Sequence, residues 1–269
     1  MDLILHVIRD FEDARVPHEE GSVDPIRDIA LLETLFLVAD LDVVDKRIQR
    51  ITEDARKGRK TEEQDERVLL ERCRGWLAHE RSLREMALTP GEEKNLRGYA
   101  FLTLKPVLLL VNIGEEKVGK ADSVWQRVQE IAPRPRTGCI RLAAKTEWEL
   151  SQLPQEDARE FSKALGIETL ESPAILRRCL DLLDLITFFT VVGDELKAWA
   201  IPRGATAVEA AGTIHTDMAR GFIKVEVMSF QDLDASGSIT VARKQGLMRL
   251  EGKGYRVQDG DILTVRFSK

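Results

Sequence analysis

The sequence predicts an α/β unit interrupted by a helical hairpin and followed by a smaller α+β module. Three observations carry that expectation. The short apolar runs Leu3–Ile8 and Pro106–Val111 read as strands buried on both faces, as in a parallel sheet. Between them lies a long, highly charged segment with apolar residues at helical spacing. From about Leu185 the pattern changes to β runs around one clear helix.

The first strand candidate, Leu3–Ile8, has almost nothing upstream to pair with, so the chain is expected to begin partway through a domain. A locally acidic stretch follows, with Asp10, Glu12, Asp13, Glu19, Glu20 and Asp24 against Arg9 and Arg15. Asp24-Pro25 then signals a helix start: Asp as N-cap, Pro at the first helical position, and Asp28 where the helix dipole favours it. Ile29, Leu32, Phe36, Ala39 and Val43 are expected on its inner face. Leu69, Cys73, Trp76, Glu80 and Leu83 mark a second helix beyond the polar tip Arg56–Lys60. Together they predict an αα-hairpin whose basic tip is a solvated turn, with RNA contact as the sharper alternative.

After Lys105 the expected elements are a buried strand at Pro106–Val111, a helix at Ser123–Ala132 and a short strand at Cys139–Ala144. Gly166 and Pro173 punctuate the exit from this region. The final module has strand candidates at Phe188–Val192, Lys197–Ile201, Phe222–Met228, Arg249–Val257 and Ile262–Phe267, with a helix at Ala207–Ile214.

Composition excludes several classes. Of 269 residues, 43% are hydrophobic and 32% charged, which suits a globular protein rather than a disordered one. No apolar run reaches the roughly 18 residues of a membrane span, and the start lacks the basic and small-residue marks of a signal peptide. Cys73, Cys139 and Cys179 are odd in number and widely spaced, so neither a disulfide framework nor a zinc knuckle is expected; a reducing cytoplasm fits best. The formal charge of −6 argues against tight nonspecific RNA binding, which needs clustered Lys and Arg.

Gly114–Lys120 matches G-x-x-x-x-G-K between a strand and a helix. Its chemistry argues against a phosphate loop. Ala121 stands where a magnesium-binding hydroxyl belongs, and Glu115 and Glu116 would repel phosphates. The same residues read better as Asn112-Ile113-Gly114-Glu115, an N-x-x-E at the carboxyl end of a strand, where open α/β sheets bind ligands. A carboxylate there accepts hydrogen bonds from a base edge, and the Asn braces neighbouring loops. Ala143, Ala144 and Lys145 end a second strand that lines the same pocket in this reading. His215 is expected to serve a helix end, and Asp259-Gly260-Asp261 to make a turn before the last strand.

Several stretches, in order across essentially the whole chain, resemble the YchF type of Obg-like ATPase, a translation-associated P-loop family. They are Phe11-Glu12-Asp13, His18, Val23–Ile29, Ala39-Asp40-Leu41, Phe101–Pro106, Asn112–Glu115, Ala210–Asp217, Gly221-Phe222-Ile223 and Val257–Asp261. The resemblance implies a partial P-loop-type α/β nucleotide domain over residues 1–24 and 105–184, with the hairpin 25–104 inserted. A ubiquitin-like β-grasp, the TGS domain, would follow over 185–269. It also implies that Asn112, Ile113, Glu115, Ala143, Ala144 and Lys145 bind the nucleotide base. Glu115 in place of the guanine-selecting Asp tilts the choice toward ATP over GTP.

Family members carry a phosphate-binding loop, a magnesium-binding switch and a D-x-x-G-type segment upstream of the strand where this chain starts. The resemblance therefore implies base recognition without hydrolysis, no catalytic or metal-ligating residue here, and no cofactor required in this form. ATP or GTP with Mg²⁺ enters by family resemblance, and ribosome or RNA is the expected partner of the helical arm and the TGS domain. The alternatives are a scaffold or RNA-binding module without a nucleotide role, and a fragment of an active ATPase.

Overall fold

The computed structural model describes residues 2–57, 64–167, 169–192 and 195–268, which fall into two compact units, 1–182 and 183–269. In the first, β1 (Ile4–Asp10) leads to the long helix α1 (Pro25–Arg56) and its partner α2 (Gln64–Ala78), then the short α3 (Pro90–Leu96). The chain continues through β2 (Val107–Ile113), α4 (Ser123–Ile131) and β3 (Thr137–Leu142) to α5 (Ala144–Ser151), α6 (Gln155–Ala164) and α7 (Ser172–Leu182). Among the described residues the strands form one parallel sheet in the order β1-β2-β3, with Ile4 opposite Val107 and Asn112 opposite Leu142.

The central strand β2 is apolar on both faces because both faces are covered. On one side Val107, Leu109 and Val111 meet Ile29 of α1 and Val128 of α4; on the other Leu108 and Leu110 meet Ile175 and Leu182 of α7. The expectation that the first strand is buried on both faces is corrected. Ile4 and Ile8 are buried, but Leu5 is 43% and Val7 59% exposed, because α7 stands over β2 and β3.

The arm packs Leu37, Val44 and Ile51 of α1 against Leu69, Leu70, Cys73 and Leu77 of α2. Asp24 caps α1 by accepting from the Ile26 and Arg27 N–H groups. The inner face differs in phase from the sequence expectation: Leu37, Asp40 and Val44 are buried, while Ala39 and Val43 are exposed. Asp40 explains the slip, since an apolar pattern does not count a carboxylate as core. It is 3% exposed and accepts from the Leu102 N–H at 2.9 Å and from the Thr103 N–H and hydroxyl at 2.7 Å. The second helix ends at Ala78 rather than running on to Leu83; Glu80 turns with φ 57° and Leu83 lies in a separate 3₁₀ turn. Gly58, Arg59 and Lys60 of the expected tip lie outside the described residues.

The second unit contains β4 (Leu185–Val192), β5 (Glu195–Pro202), α8 (Ala207–Ile214), α9 (Thr216–Arg220), β6 (Phe222–Ser229), α10 (Phe230–Ser236), α11 (Ile239–Lys244), β7 (Arg249–Glu251) and β8 (Asp261–Phe267). Among the described residues its sheet runs β5-β4-β8-β6-β7, with β4 and β8 parallel and the other pairs antiparallel. It grips α8 through Ala207, Ala210 and Ala211 against Phe188, Val225 and Leu263, the β-grasp arrangement expected of this module. Thr206 and Glu209 form a reciprocal capping box that starts α8. The strand expected over Arg249–Val257 stops at Glu251, and Tyr255 instead sends its hydroxyl to Asp261 at 2.8 Å. The side chain of His215 accepts from the Asp217 N–H and caps α9.

Candidate functional site

Parallel pairing puts the carboxyl ends of β1, β2 and β3 on one edge of the sheet, so Asp10, Ile113 and Leu142 end together. Two loops leave that edge side by side. Asn112 joins them: its Oδ1 accepts the Ala144 N–H at 3.1 Å, fixing the start of α5 against the end of β2. The bond orients the Asn112 amide and leaves its NH₂ free of this contact, the bracing the spacing suggested.

Each of the other expected residues has a distinct place. Ile113 and Ala143 are 6% and 7% exposed and pack into the core beneath the sheet edge. Glu115 begins a 3₁₀ turn, Glu115–Lys117, and is exposed. Lys145 stands on the first turn of α5, exposed, with Glu149 at 3.7 Å. Beside these loops and the segment before α7 lies a cavity of about 290 Å³ lined by Ile113, Val118, Arg141, Ala143, Glu147 and Glu171, just below the ligand-pocket range of roughly 300–1,000 Å³. A larger cavity, about 560 Å³, opens at the opposite end of the strands near Val107 and Thr137, away from the edge where open α/β sheets bind ligands.

The G-x-x-x-x-G-K match does not build a phosphate cradle. Its amides close local turns, with Lys117 N–H to Gly114 O and Val118 N–H to Glu115 O, and the helix that follows is capped by Asp122, which accepts the Val124 N–H. A carboxylate occupies the helix N-terminus a phosphate would need. Among the described residues, no three His, Cys, Asp or Glu side chains gather as a metal-ligand set.

Four residues of this edge escaped the sequence reading. Asp10, 3% exposed, pairs with Lys117 Nζ at 2.6 Å. Burial raises the Asp10 carboxyl above its ordinary value; Lys117 pulls it back and the adjacent Asp122 pushes it further up. One oxygen of Asp10 and one of Asp122 are buried without a hydrogen-bond partner. Glu147, 7% exposed, accepts the Glu171 and Ser172 N–H groups at 2.8 and 2.9 Å and so caps α7. The signal for Asp10 was available in principle, since equal strand ends in a parallel sheet share an edge.

Known proteins place this architecture. A family profile described as YchF-GTPase_C, "Protein of unknown function (DUF933)", matches residues 185–268. The "Ribosome-binding ATPase YchF" of Escherichia coli O157:H7 is 36% identical over 267 residues, covering 99% of this chain and 73% of the relative. The chain belongs to the YchF family. The protein of the same name from Bacillus subtilis (strain 168) is 34% identical over 273 residues, covering all of this chain and 74% of its own. Among solved structures, the Schizosaccharomyces pombe YchF GTPase superposes with a TM-score of 0.82 at 30% identity, covering 98% of this YchF-family chain and 72% of that one. A GTP binding protein from Pyrococcus horikoshii OT3 shares the fold, with a TM-score of 0.61 at 18% identity over 99% of this chain and 79% of its own.

Proposed function

We propose that this YchF-family chain is a ribosome-associated nucleotide-binding protein that reads the purine base at the carboxyl edge of its parallel sheet. The bond from the Ala144 N–H to Asn112 Oδ1 carries this reading, because it holds the two base-facing loops in one frame. Within that frame Asn112 and the Glu115 carboxylate meet the base edge, while the main chain of Ile113 and the Ala143-Ala144-Lys145 turn form the rest of its seat. Lys145 lays its stem over the ring. Adenine offers its N6 amino donor to Glu115, and the tilt toward ATP over GTP follows from the family resemblance, with Glu115 in place of the guanine-selecting Asp. The names of the relatives support the ribosome and the nucleotide as partners.

The proposal assigns residues 1–24 and 105–184 to the nucleotide domain, the hairpin 25–104 to an inserted arm and 185–269 to a TGS domain. Arm and TGS domain contact ribosome or RNA. Phosphoryl transfer needs amides, a Lys and Mg²⁺ positioned around the β- and γ-phosphates. Among the described residues the Gly114–Lys120 loop gives a triphosphate no such grip, so weak nucleotide binding and poor hydrolysis by this polypeptide are the expected outcomes. Calorimetric titration with ATP and GTP tests both parts. Binding weaker than about 10 µM, roughly −7 kcal/mol, and abolished by Glu115→Ala is the expected result. Inorganic phosphate released by the purified chain would overturn the poor-hydrolysis reading. Binding unchanged in Glu115→Ala would overturn the base assignment.

A further inference from the structure

The turn that carries Glu115 has few contacts of its own. It is one turn of 3₁₀ helix, closed by the Lys117 N–H to Gly114 O and the Val118 N–H to Glu115 O, both at 3.1 Å. A short isolated turn opens readily, and a carboxylate that must meet a base edge gains nothing from a mobile support. A side chain of the turn is tied to the sheet where Lys117 Nζ donates to Oδ1 of the buried Asp10 at the end of β1. The other end of the same loop arrives at Asp122, whose Oδ1 caps α4 at 2.9 Å from the Val124 N–H. Its Oδ2 is buried without a partner, as is Oδ2 of Asp10.

These three side chains form one cluster. The Asp122 carboxyl stands close enough to act on Asp10 both as a charge and as a hydrogen-bonding neighbour. The Asp10 charge is met by Lys117 at 2.6 Å. The cluster then ties β1, the Glu115 turn and the start of α4 together at three corners.

We infer that Lys117, Asp10 and Asp122 are positioning residues that latch the Gly114–Lys117 turn to the sheet and so set where the Glu115 carboxylate stands. The inference rests on the purine reading proposed above for its functional part, but the latch itself is a property of the nucleotide-free chain. It gives Lys117 a role unlike that of a phosphate-loop lysine: it faces inward to the protein rather than outward to a ligand.

Amide hydrogen exchange on the nucleotide-free chain, followed by calorimetric titration with ATP and with GTP, tests it. The double variant Asp10→Asn/Lys117→Met removes both charges together and leaves no lone buried ion. It is expected to exchange residues 114–120 about tenfold faster, with β2 and β3 still protected. It should also lose most of the difference between ATP and GTP. Lys117→Arg, which can still reach Asp10, should restore both readouts. Unchanged exchange over 114–120 overturns the latch. Faster exchange with the ATP-to-GTP ratio intact overturns the positioning of Glu115. If the unmodified chain binds neither nucleotide, the purine reading fails, and the exchange result alone then decides the latch.

Discussion

Asp122 is a residue whose replacement should improve the protein. Asn ranks with Asp as an N-cap, so Asp122→Asn keeps the bond to the Val124 N–H and points an amide donor at the partnerless oxygen of Asp10. A hydrogen bond replaces a like-charge contact, and the variant is expected to gain about 1 kcal/mol in urea unfolding. Burial of Asp10, with a smaller push from Asp122, also sets a pH dependence. Because the folded Asp10 carboxyl titrates above its ordinary value, the native state binds more protons than the unfolded state once pH exceeds about 3.9. Stability therefore falls as pH rises from there to the folded value and is flat beyond it. Asp122→Asn should reduce that slope in part and leave the share due to burial, measured as urea midpoints against pH.

Helix α1 shows at the scale of the element what a sequence pattern conveys and what it misses. Its start was legible because Asp24-Pro25 is local chemistry, and α8 was legible at both ends because a Thr206–Glu209 box opens it and an apolar run fills it. The inner face of α1 was misphased because Asp40 belongs to the core through partners some 60 residues away, Leu102 and Thr103, which no local window contains. Helix α7 was passed over because Pro173 reads as an exit, whereas it sits in the first turn of a helix, where its missing N–H costs nothing. At the site, the Asn112 and Ala144 loops and the place of Asp10 follow from strand ends, but that Lys117 reaches Asp10 across 107 residues shows only in the folded chain.

Asp40→Ala leaves the Thr103 N–H and hydroxyl and the part-buried Leu102 N–H without their acceptor, so it should cost about 3 kcal/mol, at roughly 1 kcal/mol or more for each unmet group. Toward the end of the arm where α1 gives way to α2, Arg47 binds Glu66 through two bonds of 2.8 and 2.9 Å, and Tyr99 adds its hydroxyl. The Arg47 guanidinium holds Glu66 below its ordinary carboxyl range. A depressed carboxylate contributes stability above about pH 4.3 and loses it as pH falls through the lower folded value. Acid should therefore loosen the α1–α2 pairing, and Glu66→Gln should remove that dependence at a cost of about 1 kcal/mol at neutral pH.

On the scale of the whole molecule, residues 1–182 and 183–269 each own a core, one built on β2 and the α1–α2 seam, the other on α8 and its sheet. Residues 183–269 expressed alone should melt cooperatively with dispersed amide resonances, since no core residue of α8 and its sheet lies outside them. A melt without cooperativity would show that this module depends on the first unit. Among the described residues no helix is long and apolar enough to cross a membrane.

The seam between α1 and α2 also contains its own reporter. Cys73 has no exposed surface, and burial pushes its thiol up to about 11. Thiolate, not thiol, attacks disulfide reagents, so in the closed arm this sulfur is silent on two counts. Its modification by a coloured aromatic disulfide then times the opening of the hairpin, while Cys139 and Cys179, both partly exposed, react ahead of it. Without any added label, the chain carries a clock for the separation of its two longest helices.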